Sequence, residues 1–481
     1  MARSAVGCLT LLLAVALLGQ SGLLTSLVSA QGAYTYYGHV PSDIWYLNGI
    51  TVGQDVVGYN LGTVRTSAPL FIIGDQDGTN VRVYALPAKA PLAEFTVNRL
   101  ERRVVDLPNG TFFKVVADKP ATVQFLGSSS GDQDGTTFFT SVTGGYVGRE
   151  FILMGVQRRV AGTESTGGLV YRIYALEDSD ITITDAEGNQ MPSFTLKANK
   201  ARGFTFAPLT VYHIASSGYF MVQSFFFAWG FTPSGTAYYP SAKGGFVGTI
   251  FYGSAFDPMA RVETWGTFQR PEFFATSLGS SKLTIVDIEN DRKHEDVEIA
   301  ASSNFTEQIK VGHIGVEADQ PMMLMLRFIG MSYTGLAAGQ NAYVYIPTDG
   351  IFTGEAYVFA YKETTVTVDD VQTKLPADGY IPLTGGYHKV SSSENVVIQV
   401  ANWPRPSPVS YSRLGAVPEI MRLTDWAVCV PSAESMSMTY EDLKLKPLIA
   451  AGLPLIYIAA GAAAVVVIIV VVLVLRRGRK P

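Results

Sequence analysis

The fold is decided by the stretch Phe138-Phe139-Thr140-Ser141-Val142-Thr143-Gly144-Gly145-Tyr146-Val147-Gly148-Arg149-Glu150-Phe151, which returns twice in altered form. The second copy occupies residues 238–251, at an offset of 100 residues without a gap. A looser third copy occupies residues 344–357, a further 106 residues along the chain. Self-similarity at a fixed period is typical of one structural unit that is used several times. We therefore predict β repeats, with this stretch marking the seams between them.

A second pattern gives each repeat one clear strand. Thr79-Asn80-Val81-Arg82-Val83 alternates polar and apolar residues, as a half-buried strand does. Similar five-residue patterns begin at Ser179, Ser281 and Thr364. Apolar residues hold no helical period over three turns anywhere between residues 60 and 410. The repeats are therefore predicted to consist of strands and turns.

Two further features of the first repeat predict how its strands follow one another. Residues 94–97 and 102–106 are interpreted as a hairpin-like pair. A long closing strand follows, and it is interrupted at Ala117-Asp118-Lys119-Pro120. Because proline cannot donate a hydrogen bond to a strand ladder, we expect a turn there that splits the element into two strands. Residues 318–321 repeat this interruption in the third repeat.

The predicted fold class is all-β, with tandem β-sandwich-like repeats of about 100 residues and one C-terminal transmembrane helix. A β-propeller-like ring built from the same repeats is the alternative. The fourth repeat is expected to be short. The predicted divisions are a signal peptide (1–30), an aromatic-rich lead (31–60), four repeats (61–148, 149–248, 249–354 and 355–418), a closing segment and stalk (419–447), the membrane helix (448–475) and a basic tail (476–481).

The two ends of the chain predict where it resides. Residues 1–30 have a positive start, an apolar run and small residues before Gln31, which indicates a secretory signal, with an uncleaved anchor as the alternative. Residues 448–475 carry no charge, and a stretch of this length can span a bilayer. Basic residues stay on the cytoplasmic side of a membrane, which predicts a single-pass protein with residues 31–447 outside. The basic residues that follow the helix are Arg476, Arg477, Arg479 and Lys480.

The charge and the cysteine content of the chain limit the classes of binding partner and the kind of organism from which the protein comes. Of the 36 Lys and Arg residues one lies in the predicted signal and four lie in the tail, which leaves 31 against 41 acidic residues and a net charge of about −10 outside. Such a surface repels phosphate, which argues against nucleic acid as a partner. Cys8 leaves with the signal, so Cys429 has no partner for a disulfide within the exterior. This composition is typical of a prokaryotic envelope protein, bacterial or archaeal.

Three motifs together resemble the repeated modules of the IgG Fc-binding protein N-terminal domain family. They are the Gly-aromatic-x-Gly seam at 145–148, the Thr-x-Val-x-Val strand at 79–83 and the Ala-Asp-Lys-Pro-Ala-Thr-Val-Gln turn at 117–124. The resemblance covers about residues 60–410, and the fourth repeat departs from it because it lacks the Asp-x-Pro turn. That family occurs in mucus-associated animal proteins and microbial surface proteins, so the resemblance implies a binding or adhesive module. Its motifs are structural, and no binding residue is carried over.

Few residues are candidates for a metal-binding or modification site. Gly74-Asp75-Gln76-Asp77-Gly78-Thr79 recurs as Gly131-Asp132-Gln133-Asp134-Gly135-Thr136. Asp75, Asp77, Asp132 and Asp134 could offer oxygen ligands to calcium, although Asp-Gly is first of all a turn signal and the ligand set is short of a full loop. Asn109 and Asn304 begin glycosylation sequons. We expect no other cofactor.

The expected function is non-enzymatic, because no constellation of catalytic residues stands out. Gly127-Ser128-Ser129-Ser130-Gly131 fits the Gly-x-Ser-x-Gly pattern of hydrolases, but a turn follows it instead of the helix that the motif requires. We expect a cell-surface β-repeat ectodomain that binds an extracellular protein or glycan, or mediates adhesion. The alternative is a structural S-layer-type anchor that associates with itself or with other envelope subunits. A surface hydrolase is the third hypothesis, with no catalytic residue named.

Overall fold

The computed structural model describes residues 34–42, 46–52, 55–61, 66–127, 136–156, 169–226, 236–255, 272–309, 311–327, 330–347, 352–404, 420–422 and 426–448, together with Ile469. Over this part of the chain the predicted all-β class is confirmed: it forms 33 strands and a short 3-10 helix, Ala433–Ser437. No described helix is long and apolar enough to cross a membrane. The predicted signal, the basic tail and all of the predicted membrane segment except Leu448 and Ile469 lie outside the described residues.

Unit four, residues 330–404, shows the basic arrangement most plainly because its eight strands are separate. Its first, eighth, third and sixth strands form one sheet in that order, and its second, seventh, fourth and fifth strands form the other. Both sheets contribute side chains to one apolar core. The strands are β24 (Gly330–Leu336), β25 (Asn341–Ile346), β26 (Phe352–Ala360), β27 (Thr364–Val368), β28 (Val371–Leu375), β29 (Tyr380–Leu383), β30 (Gly386–Ser392) and β31 (Val396–Pro404).

Units two and three, residues 137–226 and 237–327, have the same strand order, except that one long strand serves as both seventh and eighth strand. The first half of this strand pairs with the second and fourth strands, and its second half pairs with the first and third. Unit two contains β10 (Thr137–Phe138), β11 (Gly148–Met154), β12 (Leu169–Ala175), β13 (Ser179–Asp185), β14 (Phe194–Leu196), β15 (Lys200–Thr205) and β16 (Val211–Phe226). Unit three contains β17 (Ala237–Tyr239), β18 (Gly248–Ser254), β19 (Glu272–Ser277), β20 (Ser281–Asp287), β21 (Arg292–Ile299), β22 (Ser303–Glu307) and β23 (His313–Arg327).

Unit one is assembled from both ends of the described chain. Its first strand comes from the C-terminal region and pairs with the eighth, whereas its second strand is the first described strand along the chain. The strands, in the order used for the other units, are β33 (Ala427–Val430), β1 (Tyr34–His39), β4 (Ser67–Gly74), β5 (Thr79–Leu86), β6 (Ala93–Val97), β7 (Arg102–Pro108), β8 (Phe112–Ala117) and β9 (Ala121–Leu126). A small separate sheet contains β2 (Tyr46–Val52), β3 (Asp55–Leu61) and β32 (Ile420–Arg422).

Strand β4 of unit one is covered by apolar residues on both faces. Leu70 and Ile72 enter one core cluster, while Phe71 and Ile73 enter a second cluster shared with unit two. Side chains alternate between the faces of a strand, so a continuous apolar run is what burial on both faces requires. The sheet of unit one that contains β4 therefore lies between two cores and joins units one and two.

The four units contact one another in a closed ring. Their first strands, β33, β10, β17 and β24, are in contact in that cyclic order. A glutamine on the eighth strand reaches the next unit at three of the four boundaries. Gln124 bonds the backbone N–H and carbonyl of Met154, Gln223 accepts a hydrogen bond from the N–H of Ser254, and Gln399 bonds both backbone groups of His39.

At the boundary between units three and four the same connection is made by a tyrosine. The Tyr238 hydroxyl donates to the carbonyl of Tyr345 and accepts from its N–H, each at 2.9 Å. Unit three has Met325 at the register position that Gln223 occupies in unit two. The contact between units four and one therefore uses a glutamine of the eighth strand, as the contacts between units one and two and between units two and three do.

Gln399→Leu is expected to lower the stability of the ring by about 2–6 kcal/mol, because two buried backbone groups of His39 lose their partner and each such loss costs roughly 1–3 kcal/mol. Gln399 and His39 are 3% exposed each. Thermal unfolding of the full chain measures the change. Gln372→Leu, on the exposed edge strand β28, is the control and should leave the midpoint unchanged. An equal shift in both variants would show that the Gln399 contact does not stabilise the ring.

The strand pairing divides the chain at other points than the sequence pattern did. The stretch at 138–151 begins at Phe138 of the first strand of unit two and runs through the first turn into the second strand, so it lies at the start of a unit. The loose copy at 344–357 is not equivalent, because 344–346 belongs to a second strand that has no counterpart at the start of the other copies. Unit four has eight strands and is complete, because β24 and β25 pair within it.

Two predictions about strand order are also modified. The four Thr-x-Val-like patterns are strands β5, β13, β20 and β27, as predicted. The hairpin-like pair is wrong: β6 pairs with β5 and β7 pairs with β4, so the connection crosses between sheets. The Asp118–Pro120 interruption does separate β8 from β9, whereas in unit three the strand continues through residues 318–321 and changes sheets there.

Candidate functional site

The described part of the chain contains an open groove of about 540 Å³ between units three and four. A volume of this size suits a small ligand or part of a larger one. The groove is formed by the turn between β17 and β18, the turn that follows β19, strand β23, the turn that precedes β25 and the C-terminal segment (residues 426–448). The lining residues are Ser241, Lys243, Gly244, Val247, Gly248, Thr249, Leu278, Gly279, Gln320, Pro321, Gln340, Asn341 and Thr439. We call this site the unit-three groove.

The groove exists because three positions carry smaller side chains than their counterparts in unit two. Equivalence follows from register: Gly148 pairs with Phe220 as Gly248 pairs with Met322, and Ala175 and Ser277 face those same partners. Thr249 and Arg149 each follow the glycine of these pairs, and Pro321 and Tyr219 each precede its partner, so they are equivalent. Gly279 and Glu177 are equivalent because they lie two residues after Ser277 and Ala175.

In unit two this place is filled. The Arg149 guanidinium lies 4.3 Å from the centroid of the Tyr219 ring and 3.9 Å from a Glu177 oxygen. The Tyr219 hydroxyl in turn donates to Asp442 of the C-terminal segment at 2.7 Å. Thr249, Gly279 and Pro321 have neither the length nor the charge to make these contacts. The corresponding space in unit three therefore stays open.

No family model matches the chain, and no curated protein does. Two solved structures show a partial similarity. The protein YhaK from Escherichia coli is 8% identical over 53% of this chain and 86% of its own, with a TM-score of 0.16. A tetra-tandem repeat in the extending region of a large adhesion protein is 11% identical over 80% of this chain and 98% of its own, with a TM-score of 0.10. Neither similarity carries an argument about fold or function.

Five polar side chains of the groove have hydrogen-bonding capacity that no other described residue uses. The side chains of Lys243, Thr249, Gln320, Asn341 and Thr439 make no hydrogen bond or ion pair within the described part of the chain. Four of them are exposed and Thr249 is half-buried. Polar groups that converge on one concave surface and remain unpaired can bind a polar ligand.

The C-terminal segment forms one wall of the groove and explains the paired glycines of the seams. A methyl group on Gly244, whose φ is +121°, would overlap the carbonyl oxygen of Met438. A methyl group on Gly145 would overlap the Tyr440 hydroxyl. The close approach of residues that follow more than 190 positions along the chain had no local signal.

The C-terminal segment packs on the ring through to its last described residues, where a stalk was predicted. Lys446 pairs with Asp178 at 2.7 Å, and Asn199 donates to the carbonyl of Pro447. Leu448 is buried beside Gly315 of unit three. Leu448, the predicted first residue of the membrane helix, therefore belongs to the packed ring.

Asp75 and Asp77, the two described candidates for calcium ligands, accept hydrogen bonds from other residues of the protein. Asp75 is buried and accepts a hydrogen bond from the Thr122 hydroxyl at 3.0 Å, and burial raises its pKa well above the usual range. Asp77 accepts from the backbone N–H of Arg99 instead. Within the described ranges no three acidic, His or Cys residues group as metal ligands. Asp132 and Asp134 lie outside those ranges, as do Arg476, Arg477, Arg479 and Lys480.

The two sequons differ in accessibility. Asn109 is half-buried in the turn between β7 and β8. Asn304 is exposed on edge strand β22, where its Nδ2 donates to the hydroxyl of Thr306 at 2.9 Å. A folded chain would therefore present Asn304 more readily to a modifying enzyme.

Three of the five histidines lie at unit boundaries. His39, between units four and one, is 3.3 Å from a Glu355 oxygen, and burial lowers its pKa to about 4. His213, between units one and two, is 2.8 Å from a Glu150 oxygen, and burial together with nearby Arg99 lowers its pKa. Their shared placement could not be seen from their spacing in the sequence.

His313 lies between units two and three and has the geometry of a packed residue. Its Nε2 is 2.7 Å from an Arg172 nitrogen, and its Nδ1 is 3.4 Å from the Ser254 hydroxyl. Burial, with a further contribution from Arg172, lowers the pKa of His313 to about 3. A catalytic triad places an acid behind the histidine, whereas here the group is a cation, so this pair does not support the hydrolase hypothesis.

Proposed function

We propose that residues 31–448 form a ligand-binding module displayed on the outside of a cell, held by a membrane helix within the apolar segment 449–475. The observation that carries this proposal is the unit-three groove with its five unpaired polar side chains. A rigid sheet scaffold with binding groups on its turns is the usual construction of such modules. The predicted signal, the basic tail and the resemblance to IgG Fc-binding N-terminal modules support the cell-surface location.

We also propose that the four units are repeats of one β-sandwich-like unit arranged as a ring. Their common strand order supports this reading, and it combines the predicted repeats with the predicted ring. The four glutamine or tyrosine connections support a ring that moves as one body. The groove walls, which come from two units and the C-terminal segment, would then keep a fixed spacing.

Self-association as a structural envelope component is the second candidate. Exposed strand edges are the usual route to such association, and the fifth and sixth strands of each unit lie at sheet edges. Most of them carry charged residues, as at Arg102 and Arg103 on β7 and Arg292 and Lys293 on β21. Charged edges oppose pairing between molecules, so we favour the binding module over the lattice.

The test is a binding panel with the full chain in detergent micelles, with and without calcium. Surfaces coated with separate glycans and extracellular proteins should retain the protein on at least one member. The triple variant Thr249→Arg, Gly279→Glu, Pro321→Tyr fills the unit-three groove and should abolish that retention. Lys89→Gln, at an exposed loop far along the chain from the groove, should not.

Two results would contradict the proposal. Retention that persists in the filled variant would place binding elsewhere on the molecule. No retention by any surface, combined with a native mass of many copies, would favour the structural envelope component. A calcium requirement for retention would in addition support a calcium site at the predicted ligands Asp75, Asp77, Asp132 and Asp134.

A further inference from the structure

We infer that the unit-three groove binds an acidic saccharide, that is, a sugar chain carrying carboxylate groups. The inference rests on the proposed function, because it names the ligand class of the same site. It follows from the polar groups of the groove, from the cation Lys243 and from the absence of an aromatic ring among the lining residues.

The unpaired amides and hydroxyls match the chemistry of sugar hydroxyl groups. Gln320 and Asn341 each offer an amide that donates and accepts, and Thr249 and Thr439 each offer a hydroxyl that does both. Sugar hydroxyls also donate and accept, so either orientation of each group can be satisfied. A ligand with many hydroxyls therefore fits this set better than an apolar one.

Lys243 supplies the charge that selects an acidic sugar. Its ammonium is exposed at the groove and makes no ion pair with another described residue. Asp319, the acidic residue beside Gln320, is directed to the Ser281 hydroxyl and the backbone N–H of Lys282. On a surface with an excess of acidic residues, a lysine left unpaired in a groove is available to a carboxylate of a ligand.

The apolar part of the lining contains no aromatic ring. Val247, Leu278 and Pro321 can contact the C–H faces of a sugar ring. Neutral sugars usually gain affinity by stacking on aromatic side chains. Without such a ring, discrimination has to come from the charge at Lys243 and from the hydrogen bonds. This favours an acidic saccharide over a neutral one.

The equivalent place in unit two provides an internal control for the argument. There Tyr219 lies where a ligand would lie in unit three, Arg149 stacks on its ring, and Asp442 accepts its hydroxyl hydrogen. The protein itself therefore fills this position in unit two with a ring bearing a hydroxyl. In unit three a ligand would supply both the ring that Tyr219 provides and the carboxylate that Asp442 provides in unit two.

Isothermal titration calorimetry of the full chain in detergent micelles tests the inference. The probes are a hexamer of galacturonic acid, uncharged maltohexaose and hexaglutamate. We expect the galacturonate hexamer to bind at least about tenfold more tightly than either other probe, and to bind more weakly at high salt because one contact is an ion pair. Lys243→Gln should weaken galacturonate binding about tenfold, and Lys89→Gln should leave it unchanged.

The filled variant Thr249→Arg, Gly279→Glu, Pro321→Tyr should lose galacturonate binding. Gly279 has open space around its Cα, so a side chain can be added there without a clash. Its thermal midpoint is measured in parallel, since an unchanged midpoint shows that lost binding is not lost folding. If its midpoint falls, Lys243→Gln alone decides the question through the galacturonate affinity.

Equal affinity for maltohexaose, equal or tighter affinity for hexaglutamate, or an unchanged affinity in Lys243→Gln would each overturn the inference. These failures remain distinct from failure of the proposed function. If the binding panel retains the chain in a manner sensitive to groove filling while galacturonate does not bind, only the ligand class is wrong. If nothing on the panel is retained either, the proposed function falls as well.

Discussion

A chain that ends at Asp425 is expected not to fold cooperatively, whereas a chain that ends at Leu448 keeps the ring intact. The shorter chain lacks β33, so unit one has no first strand and the ring of first strands is open between β10 and β24. It also lacks the residues that close one end of the ring, where the backbone N–H of Thr35 donates to Glu434 at 3.0 Å.

The size of the effect follows from burial. Trp426, Val428, Val430 and Met436 are each at most 2% exposed. Burying a large apolar side chain contributes roughly 1.5–3 kcal/mol, so these four contribute on the order of 10 kcal/mol. Domains have a net stability of about 5–15 kcal/mol, so a loss of this size removes most of it.

Circular dichroism during thermal unfolding and hydrogen exchange in β9 measure the outcome. Both chains lack residues 449–481, so any difference between them comes from residues 426–448. Supplying those residues as a separate peptide should restore part of the signal in the shorter chain. A sharp unfolding transition at the same temperature for both chains would show that unit one does not need the C-terminal segment.

Acid is expected to destabilise the ring, through His39 and His313. An unfolded imidazole takes up a proton near pH 6.5, whereas the pKa of folded His39 is about 4 and that of folded His313 is about 3. Between these values the unfolded chain binds more protons, so stability is fully present above pH 6.5 and is lost as the pH falls toward 4 and then 3. At 1.36 kcal/mol per pKa unit, the loss is about 3 kcal/mol for His39 and somewhat more for His313.

The groups that face these histidines act in both directions. Arg172 opposes protonation of His313, while Glu355 lies near His39 and Asp287 favours the charged form of His313. Asp75 and Glu434 have raised pKa values because they are buried, so their contribution to stability has the opposite sign and improves as the pH falls. The dependence of the protein's stability on pH therefore combines contributions of opposite sign.

Variants separate the histidine contribution from the carboxyl contribution. His313→Gln retains an acceptor for Arg172 but cannot be protonated, so the loss of stability between pH 6.5 and pH 4 should be smaller than in the original chain. His294→Gln, an exposed residue on β21, is the control. Unfolding midpoints measured at half-unit pH steps provide the comparison. Parallel curves for all three proteins would show that His313 titrates alike in the folded and unfolded chain.

Local sequence patterns were sufficient for the strands that are half-buried. Thr79–Val83 and its three counterparts alternate because one face of each strand is in a core and the other is in solvent, and a period of two residues is readable without knowledge of the fold. The all-β class followed from these strands. The unit boundaries did not, because a repeated sequence shows only that units exist, and the same repeat can be cut at any point along its period.

The amino-acid sequence by itself determined that strands recur about every 100 residues and that Cys429 is the only cysteine in residues 31–447. Only the tertiary structure decided that β33 completes unit one, since that pairing joins residues some 300 positions apart and leaves no local pattern. It also decided the groove. Thr249, Gly279 and Pro321 are unremarkable in sequence, and they leave a space only because the register of unit three places them where unit two has Arg149, Glu177 and Tyr219. Contacts between distant residues depend on the packing of whole units, and packing is a property of the folded chain.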